Sequence, residues 1–513
     1  MGAPKRNRLL NAARTRSILA RMSTNPVWDL CVIGAGPGGY AAAMRAHDLG
    51  KRVLLIEKDR VGGTGIHEGA LSSKTMWHLS ADFATAKLTD RGYRAPGGID
   101  VTYPSVMESV SSAVSERRAI LTRQLETLEK PNEKGACVVL VRGEARFVDP
   151  HHIEVVKADG TTTTYEATNF LIATGSHPRV PKEYPVDGET IVTSDHIESW
   201  KEFPKSMVIV GAGVVGCEYA TMFARFGKTK INIIDRQPRI LPFEDEDVAE
   251  VVARSFEHLG ITIHRASKLE SLKVVDGQVE YVITNAEGKS ETIRVDKALV
   301  SIGRVPNTAT LGLDKAGVEL DKGGGCVVKC CQSTSASHIW AAGDVTMDIA
   351  LVNVAELEGR YAAEKMFGLD PRPIVYEALS TIMFLAPEVA SVGLNEMQAK
   401  AQKIPYRAGV IENRLVSRNT AMRSTAGFVK LLAAKDSSKI LGLRVVGPQA
   451  SSTIQGIAFL IHMGAHLEDI DHCVHPHPAI PEGVQECARM LLGRSVMKPD
   501  VFGPEGLLRY GEG

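Results

Sequence analysis

The sequence has 513 residues, which corresponds to about two to four domains, and 44% of them are apolar, enough for ordinary buried cores. Its 60 basic and 60 acidic residues balance, so we expect no nucleic-acid partner and no attraction to a membrane surface. No apolar run approaches the roughly 18 residues that a membrane span needs, and eight scattered cysteines exclude a disulfide-stapled secreted fold.

Residues 1–28 differ from the rest of the chain in composition. They contain several Arg and hydroxylated residues, and no acidic residue occurs before Asp29. A segment of this kind is typical of an organellar transit peptide, and a disordered basic tail is the alternative. We therefore expect a mitochondrial protein, and a cytoplasmic one if the segment is only a tail.

The first dinucleotide-binding motif follows directly. A short apolar strand ends at Ile33, a glycine-rich turn leads into an Ala-rich helix, and a second strand ends on Glu57. Gly34 permits the tight turn, Gly36 lets the backbone approach a pyrophosphate, and Gly39 lets helix and strand pack closely. Glu57 lies 23 residues after Gly34, where it can accept a hydrogen bond from a ribose hydroxyl. The agreement of strand, helix, second strand and acid predicts a bound dinucleotide.

The following stretch connects this motif to its second copy. Residues 105–130 have the periodicity of one long helix, and short alternating strands are predicted around 138–140 and 153–156. A buried strand at 170–172 then runs into the turn Ala173-Thr174-Gly175-Ser176. By themselves these residues predict only a strand that ends in a turn.

The second dinucleotide-binding motif repeats the first. A strand at 207–210 leads into Gly211, Gly213 and Gly216, a helix follows, and the next strand ends on Asp235, 24 residues after Gly211. Two complete copies indicate either two bound dinucleotides or a duplication with one inactive site.

The identity of the second nucleotide depends on the residues around Asp235. A carboxylate accepts from a free 2′-hydroxyl and repels a 2′-phosphate, so Asp235 favours NAD. Arg236 and Arg239 follow closely, and an Arg can hold that phosphate. NADP therefore stays open.

The C-terminal part of the chain has a different pattern. From about residue 376 it alternates as short strands, with examples at 381–384, 389–393, 427–432 and 440–448. A helix is predicted around 481–492, followed by a polar, glycine-rich tail.

Further segments match one family in the same order along the chain. Residues 301–307, 339–345 and 387–393 resemble, respectively, the end of the nicotinamide domain, the return to the flavin domain and the start of the dimerisation domain of the flavin-dependent pyridine nucleotide-disulfide oxidoreductases. The resemblance covers roughly residues 29–493 and is to the branch of dihydrolipoamide dehydrogenase, mercuric reductase and soluble transhydrogenase. It implies FAD on the first motif, NAD or NADP on the second, and a homodimer.

The expected fold class is α/β, with two Rossmann-like dinucleotide-binding domains and a C-terminal α+β dimerisation domain. The expected domains are a transit peptide or basic tail at 1–28, an FAD-binding domain in two segments at 29–176 and 307–375, an NAD(P)-binding domain at 177–306, a dimerisation domain at 376–493 and a polar tail at 494–513.

The resemblance also supplies candidate site residues. Asp344 would bind the ribityl chain of FAD, and Lys74 would lie near the flavin, paired with Glu218. A cation there would stabilise the anionic reduced flavin. The candidate cofactor-binding residues are Gly34, Gly36, Gly39, Glu57, Thr64, Lys74, Gly143, Thr174, Gly175, Ser176, Gly211, Gly213, Gly216, Glu218, Asp235, Gly303 and Asp344.

A second candidate set lies near the C-terminus. His477, with Glu482 five residues on, matches the acid–base pair that reaches across the dimer to the redox cysteines in relatives. This chain has no such thiols for the pair to serve. His472 and His475 lie beside His477, so a His-rich surface loop is the alternative to a catalytic pair. The only cysteine cluster, Cys326, Cys330 and Cys331, lacks a second Cys/His pair at ligand spacing, so we expect no metal site.

The segment 62–74 departs from the family at Ser72, where relatives have Pro, and at the redox-active positions. The two redox-active cysteines of relatives correspond here to Gly65 and Ala70. Disulfide exchange needs an attacking thiolate and a second sulfur, so we expect the family's disulfide chemistry to be lost. Hydride transfer between nicotinamide and flavin would remain.

Three functions stay open. The first is an FAD-dependent NAD(P)H oxidoreductase that passes hydride to a second nicotinamide, as soluble transhydrogenases do; these share a His two residues after the first cysteine position, like His67. The second is a dihydrolipoamide dehydrogenase-like protein with an unidentified acceptor, such as a quinone, a dye or oxygen. The third is a dimeric pseudoenzyme that keeps FAD for structure.

Overall fold

A computed structural model describes residues 27–92, 94–329 and 332–511. All but the last two residues of the predicted transit segment, and the cysteines at 330 and 331, lie outside the described residues. The chain forms two compact units. The first contains the described residues up to Ala70, Val114–His177 and Arg304–Ile374, and the second contains Leu71–Ala113, Pro178–Gly303 and the residues from Val375 onward. The domain boundaries given above stay a prediction. They differ from these units at 71–113, and the predicted NAD(P)-binding and dimerisation domains both lie in the second unit.

The described residues form short strands throughout the chain. These are β1 (Trp28–Ile33), β2 (Arg52–Glu57), β3 (Cys137–Arg142), β4 (Glu144–Asp149), β5 (His152–Val156), β6 (Thr162–Ile172), β7 (Ser176–Pro178), β8 (Ile191–Val192), β9 (Ser206–Val210), β10 (Lys230–Ile234), β11 (Thr262–His264), β12 (Lys268–Val275), β13 (Gln278–Thr284), β14 (Ser290–Val295), β15 (Lys297–Val300), β16 (Arg304–Pro306), β17 (Ile339–Ala341), β18 (Ser380–Met383), β19 (Val389–Gly393), β20 (Tyr406–Glu412), β21 (Phe428–Ala434), β22 (Ile440–Val446) and β23 (Gly506–Gly511).

The α-helices of the described residues alternate with these strands. They are α1 (Pro37–Asp48), α2 (Ala70–Ala86), α3 (Tyr103–Leu128), α4 (Val214–Phe226), α5 (Glu246–His258), α6 (Leu313–Ala316), α7 (Val352–Met366), α8 (Glu396–Ala401), α9 (Ser417–Ala421), α10 (Ala450–Met463), α11 (Leu467–His472), α12 (Glu482–Leu491) and α13 (Pro499–Phe502).

The first unit is built on a seven-stranded sheet in the order β3-β2-β1-β6-β5-β4, with β17 also paired to β6. The pairs among β1, β2, β3, β6 and β17 are parallel, and those among β4, β5 and β6 are antiparallel. β1 and β2 are almost wholly buried apolar runs because a parallel sheet is covered on both faces. Helices α1 and α7 cross closely, since a Cβ at Gly359 would come within 2.1 Å of the Gly38 carbonyl oxygen.

The second unit contains a five-stranded sheet in the order β11-β10-β9-β15-β8, in which every described pair is parallel. Helix α4 connects β9 to β10 and is buried along most of its length. A three-stranded antiparallel sheet, β12-β13-β14, packs through Tyr281 and Val279 into the same apolar core as β9 and β15. This arrangement repeats the strand–helix–strand frame of the first unit.

The second unit also contains an antiparallel sheet of six strands in the order β18-β19-β22-β21-β20-β23. Its core joins Leu431 and Leu443 on the sheet to Ile454 of α10 and Val484 of α12. The sequence predicts only a polar tail after residue 493, but β23 pairs with β20 along the edge of this sheet. The strand escapes sequence-based prediction because it is short and flanked by glycines.

Candidate functional site

The first glycine loop, Gly34–Gly39, has the geometry that a bound pyrophosphate needs. Gly34 has φ +101°, and a Cβ there would lie 2.4 Å from the Ala173 oxygen. A Cβ at Gly39 would lie 1.9 Å from the Gly34 oxygen, which explains the close packing of helix on strand. By contrast, nothing lies within 4 Å of a Cβ at Gly36, the N-cap of α1. The backbone is therefore open where the helix N-terminus could receive phosphate.

Glu57 fixes the other end of this site. Its side chain is buried, and one carboxylate oxygen accepts from the Ala35 amide at 2.7 Å while the other accepts from the Asp59 amide at 2.8 Å. Each carboxylate oxygen keeps a lone pair, because a carboxylate offers about four acceptor sites. The carboxylate is thus held at the end of β2, and the residues of this loop fit a dinucleotide.

The second glycine loop, Gly211–Gly216, reproduces this geometry. Gly211 has φ +103°, and a Cβ there would lie 2.5 Å from the Ser301 oxygen. A Cβ at Gly216 would lie 2.1 Å from the Gly211 oxygen, and a Cβ at Gly213 would meet nothing within 4 Å. The second loop therefore also fits a dinucleotide.

Asp235 occupies the position equivalent to Glu57. It accepts from the Ala212 amide at 2.7 Å and from the Gln237 amide at 2.8 Å. Of the two nearby arginines, Arg239 donates to the carbonyl oxygens of Pro242 at 3.2 Å and Glu244 at 3.0 Å. Arg239 is therefore engaged with backbone, whereas Arg236 is exposed.

The turn at Ser176 and the residue Asp344 come together in the first unit. Ser176 Oγ donates to Asp344 Oδ2 at 2.7 Å. Arg304 Nε donates to Ser176 Oγ at 2.6 Å and lies 3.7 Å from Asp344 Oδ2. Asp344 follows Gly343, whose amide donates to the buried Glu358 at 2.8 Å. Arg304 and Glu358 contact the candidate residues of this turn but are absent from the candidates predicted from the sequence, because neither is a glycine or an acid at the end of a glycine motif.

The remaining candidates of this part of the chain are held by backbone geometry. Thr174 Oγ1 donates to the backbone carbonyl oxygen of Asn307, and the backbone N–H of Asn307 donates to the Gly175 carbonyl oxygen. Gly143 has φ +155°, and its amide donates to the Glu57 carbonyl. In the second unit, Gly303 has φ +108° and its carbonyl accepts from the Arg179 amide. These contacts shape the backbone around the strand ends.

Residues 62–70 of the first unit close over the first glycine loop. The Gly62 amide donates to the Ala35 carbonyl at 2.8 Å, and a Cβ at Gly63 would lie 3.1 Å from Gly36 Cα. A Cβ at Gly65 would lie only 2.6 Å from Pro37 Cγ, so a side chain at this position needs the segment to shift.

Two further contacts fix this segment. His67 is buried, with Nε2 at 3.1 Å from the Val61 oxygen, and burial lowers its pKa, so the imidazole is neutral near pH 7. Glu68 forms an ion pair with Arg60. A Cβ at Gly69 would lie 2.0 Å from the Thr64 oxygen, so Thr64 and Gly69 are also close.

The predicted ion pair between Lys74 and Glu218 is present within the second unit. Lys74 Nζ lies 2.7 Å from Glu218 Oε2, and the side chain of Glu218 is 7% exposed. Glu218 Oε1 accepts from the Phe384 amide at 3.0 Å, and Lys74 Nζ lies 5.1 Å from the centre of the Phe384 ring. A cation is thus held in place by a buried carboxylate and an aromatic face.

His477 and Glu482 also form the predicted contact. His477 Nδ1 lies 2.8 Å from Glu482 Oε1, and Glu482 Oε2 accepts from the Ala479 amide at 2.7 Å. Burial raises the pKa of the Glu482 carboxyl group. The hydrogen bonds with the Ala479 amide and His477 outweigh burial and hold this pKa below its ordinary value. The His477 side chain is 70% exposed. A cavity of about 410 Å³ lies beside it, lined by Arg418, Gln449, Ser452, Thr453, Pro476, Pro478, Ala479, Ile480 and Pro481.

The cysteines of the described residues offer no redox pair. Six are described, all as free thiols, and only Cys473 among them is exposed. Burial raises the pKa of Cys31 and Cys217, so neither is a reactive thiolate. Within the described ranges, no group of three or more His, Cys, Asp or Glu side chains is placed to hold a metal ion, and no helix is long and apolar enough to cross a membrane.

Comparison with known proteins identifies the class. Residues 28–359 match the family model described as pyridine nucleotide-disulphide oxidoreductase, and residues 379–488 match the dimerisation domain of that family. The chain belongs to this family, and FAD and a nicotinamide nucleotide, as predicted, are its cofactors. The resemblance, the fold class and the cofactors inferred from the sequence are thereby confirmed.

Individual relatives are similar to this chain over most of its length. The mitochondrial dihydrolipoyl dehydrogenase of Schizosaccharomyces pombe is 33% identical over 471 residues, which cover 91% of this chain and 90% of the relative. The dihydrolipoyl dehydrogenase of Geobacillus stearothermophilus is 34% identical over 468 residues, 91% of this chain and 97% of the relative. The crystal structure of LpdA from Mycobacterium tuberculosis superposes with a TM-score of 0.81 at 29% identity, covering 90% of this chain and 99% of that one.

Proposed function

We propose that this protein is an FAD-dependent oxidoreductase that transfers hydride from one nicotinamide nucleotide to a second acceptor without a redox disulfide, and that the acceptor is another nicotinamide nucleotide. The observation that carries the proposal is the contrast between the two intact glycine loops and the segment 62–74. Both glycine loops keep the complete geometry for a dinucleotide, whereas residues 62–74 contain no sulfur atom. Each loop can still receive a dinucleotide at its helix N-terminus, and hydride transfer between a nicotinamide and a flavin needs no thiol.

FAD, when bound, would supply two-electron hydride chemistry. The two glycine loops would bind the pyrophosphates at helix N-termini, and Glu57 and Asp235 would hold the riboses. Lys74, held by Glu218, would supply a positive charge that favours the reduced, anionic flavin, as the family resemblance implies. The residues at 65 and 70 supply no thiolate, so no step passes through sulfur.

The environment of Asp235 supports NAD as the nucleotide of the second site. The Asp235 carboxylate is fixed by two backbone amides. It can accept a hydrogen bond from a 2′-hydroxyl, whereas its negative charge repels a 2′-phosphate. Of the two arginines that could hold such a phosphate, Arg239 already donates to two carbonyl oxygens, whereas Arg236 is exposed. We therefore infer a preference for NAD over NADP at this site.

A second candidate function is favoured by the names of the relatives. Dihydrolipoyl dehydrogenases at 33 and 34% identity cover most of this chain, so a protein descended from them that uses a quinone, a dye or oxygen as acceptor is the alternative. His477 and Glu482 keep the geometry of an acid–base pair and would serve this function if the acceptor needs a proton. A homodimer and the mitochondrion are proposed on the same basis, from the dimerisation domain and the S. pombe relative.

Anaerobic titration of the FAD-containing protein separates these functions. NADH should bleach the flavin absorbance, and a second, spectrally distinct nicotinamide should then be reduced. If bleaching occurs but only a quinone restores the colour, the alternative function replaces the leading one. If neither NADH nor NADPH bleaches the flavin, the protein is a pseudoenzyme. Turnover of dihydrolipoamide would contradict the loss of the disulfide chemistry.

A further inference from the structure

A buried cluster of charges lies in the second unit, outside the glycine loops. The Lys430 side chain on β21 is fully buried, with Nζ at 2.6 Å from Asp245 Oδ2, 2.8 Å from Asp247 Oδ1 and 3.1 Å from Glu396 Oε1. Burial opposes its charge, but these carboxylates hold the pKa of Lys430 above its ordinary value, so the lysine stays protonated. One lysine alone leaves three carboxylates with an excess of negative charge.

The second cation comes from the C-terminal strand. Arg509 lies on β23, and its Nη1 is 2.8 Å from Asp247 Oδ2 and 2.9 Å from Glu396 Oε1. Uncompensated buried charge is strongly destabilising, so the cluster is better balanced with Arg509 than without it. β23 lies after residue 488, where the match to the family's dimerisation domain ends.

The cluster continues into the segment that shapes the second glycine loop. Asp245 is the N-cap of α5, and the preceding residues 239–244 run back to this loop. The Leu241 amide donates to the Ala212 carbonyl at 3.0 Å, and the Ala212 amide donates to Asp235 at 2.7 Å. Leu241 is itself fully buried and has φ +48°.

The same segment is held at two more points by the part of the chain after residue 375. Asn395 Nδ2 donates to the Phe243 carbonyl at 3.0 Å, and Arg444 Nε donates to Glu244 Oε2 at 3.0 Å. The segment 239–245 is therefore fixed between the glycine loop at one end and the Lys430 cluster at the other.

We propose that Arg509 is a positioning residue for nicotinamide nucleotide binding: by completing the Lys430 cluster, the C-terminal strand holds segment 239–245, and with it Ala212 and Asp235, in the conformation that receives the nucleotide. The inference rests on the proposed assignment of the second glycine loop to the nicotinamide nucleotide. It adds a residue from outside the family's domain models to that site.

The test is the affinity of the full-length, FAD-containing protein for NADH, measured by isothermal titration calorimetry. Arg509→Met should raise the Kd roughly fivefold, the lower end of typical coupling between linked sites, with the FAD content unchanged. Arg509→Lys, which keeps the charge, should recover most of the affinity. Tyr510→Ala is the matched control, because Tyr510 is the neighbouring residue of the same strand and is 65% exposed.

The outcomes separate the two proposals. If the wild-type protein does not bind NADH, the proposed function fails, and the inference fails with it. If the wild-type protein binds and Arg509→Met binds equally well, only the role of Arg509 is overturned, even if its melting temperature falls. Should Arg509→Met not fold, Arg509→Gln decides in its place: weaker binding supports the role, and unchanged binding overturns it.

Discussion

The two glycine loops share one geometry, but the segments that return to them lead to different parts of the molecule. In both, an acid at the end of the second strand accepts from an amide inside the loop, at 2.7 Å in each case. In both, the chain then returns and donates an amide to the carbonyl of that same loop residue, from Gly62 to Ala35 and from Leu241 to Ala212. The likeness therefore extends several residues beyond the recognised motif.

The difference lies in where each returning segment leads. After Gly62 the first copy continues into residues 63–70. The family resemblance matches the redox-active cysteines to Gly65 and Ala70 of this segment, which also contains the buried His67. After Leu241 the second copy continues into Asp245 and the buried charges around Lys430. We propose that the repeated frame binds a nucleotide in each copy and that the returning segment distinguishes the copies. In the second copy this segment anchors the glycine loop to the buried charges.

The largest expected effect comes from adding one methyl group to either loop. Gly34→Ala should remove FAD, and Gly211→Ala should remove nicotinamide binding while FAD is retained. Each Cβ would lie about 2.5 Å or less from a carbonyl oxygen, at a φ that costs an L-residue roughly 1–2 kcal/mol. The flavin absorbance per protein and the NADH affinity measure the two losses.

The control for this pair is Gly456→Ala, at an exposed helical position where a Cβ meets nothing within 4 Å. It should leave both nucleotides bound. If Gly211→Ala lost FAD as well, the independence of the two frames would be refuted.

The next effect concerns the ion pair of the second unit. Lys74→Met leaves the Glu218 carboxylate buried and without its cation, and removal of one partner of a buried pair costs about 3 kcal/mol. Urea denaturation should show this loss, and Lys87→Met, at an exposed lysine after the end of the same helix, should lose less than about 1 kcal/mol. Equal losses of stability in the two variants would mean that the Lys74–Glu218 ion pair stabilises the protein no more than an exposed lysine does.

A smaller effect is expected from the acid of the second copy. Asp235→Asn removes the charge that strengthens both amide contacts and repels a 2′-phosphate, so NADH affinity should fall roughly tenfold, equivalent to about 1.4 kcal/mol. The preference for NADH over NADPH should fall with it, and titration with both nucleotides measures this. Glu57→Gln should leave the preference for NADH over NADPH unchanged. A change in that variant would contradict the assignment of this preference to the second copy.

The smallest effect depends on pH. The folded-state pKa of Glu482 lies below its ordinary value near 4.5, so its stabilising contribution is present above that pH and is lost as the pH falls through the folded pKa. At neutral pH, Glu482→Gln should therefore lower the free energy of unfolding by less than about 1 kcal/mol and lower the melting temperature slightly. Both differences from the wild type should vanish in acid. A difference that persisted below the folded pKa would assign the effect to packing.

The sequence was most informative where the backbone itself demands a residue type. Gly34, Gly39, Gly211 and Gly216 are required by close approach or positive φ, so their spacing predicts both frames before any contact is known. The Lys74–Glu218 pair was predictable only from the family resemblance, because 144 residues separate the partners.

Other features left no pattern to find. The Lys430 cluster draws on residues at 245, 247, 396 and 509, which no periodicity links and which only the folded chain brings together. Arg239 shows another limit of the sequence. It follows Asp235 by four residues and could by position hold a 2′-phosphate, but its contacts with two carbonyl oxygens appear only in the fold.

The central claim is that hydride moves between two nicotinamides on a protein without a redox disulfide. Its most direct test is to supply deuterium-labelled NADH and a nicotinamide analogue to the FAD-containing protein, with free thiols alkylated and oxygen removed, and to follow the label by mass spectrometry. If the claim is right, reduced analogue appears catalytically, and the label is either carried over or exchanged with solvent at the flavin. Absence of reduced analogue, while NADH still bleaches the flavin, would contradict it.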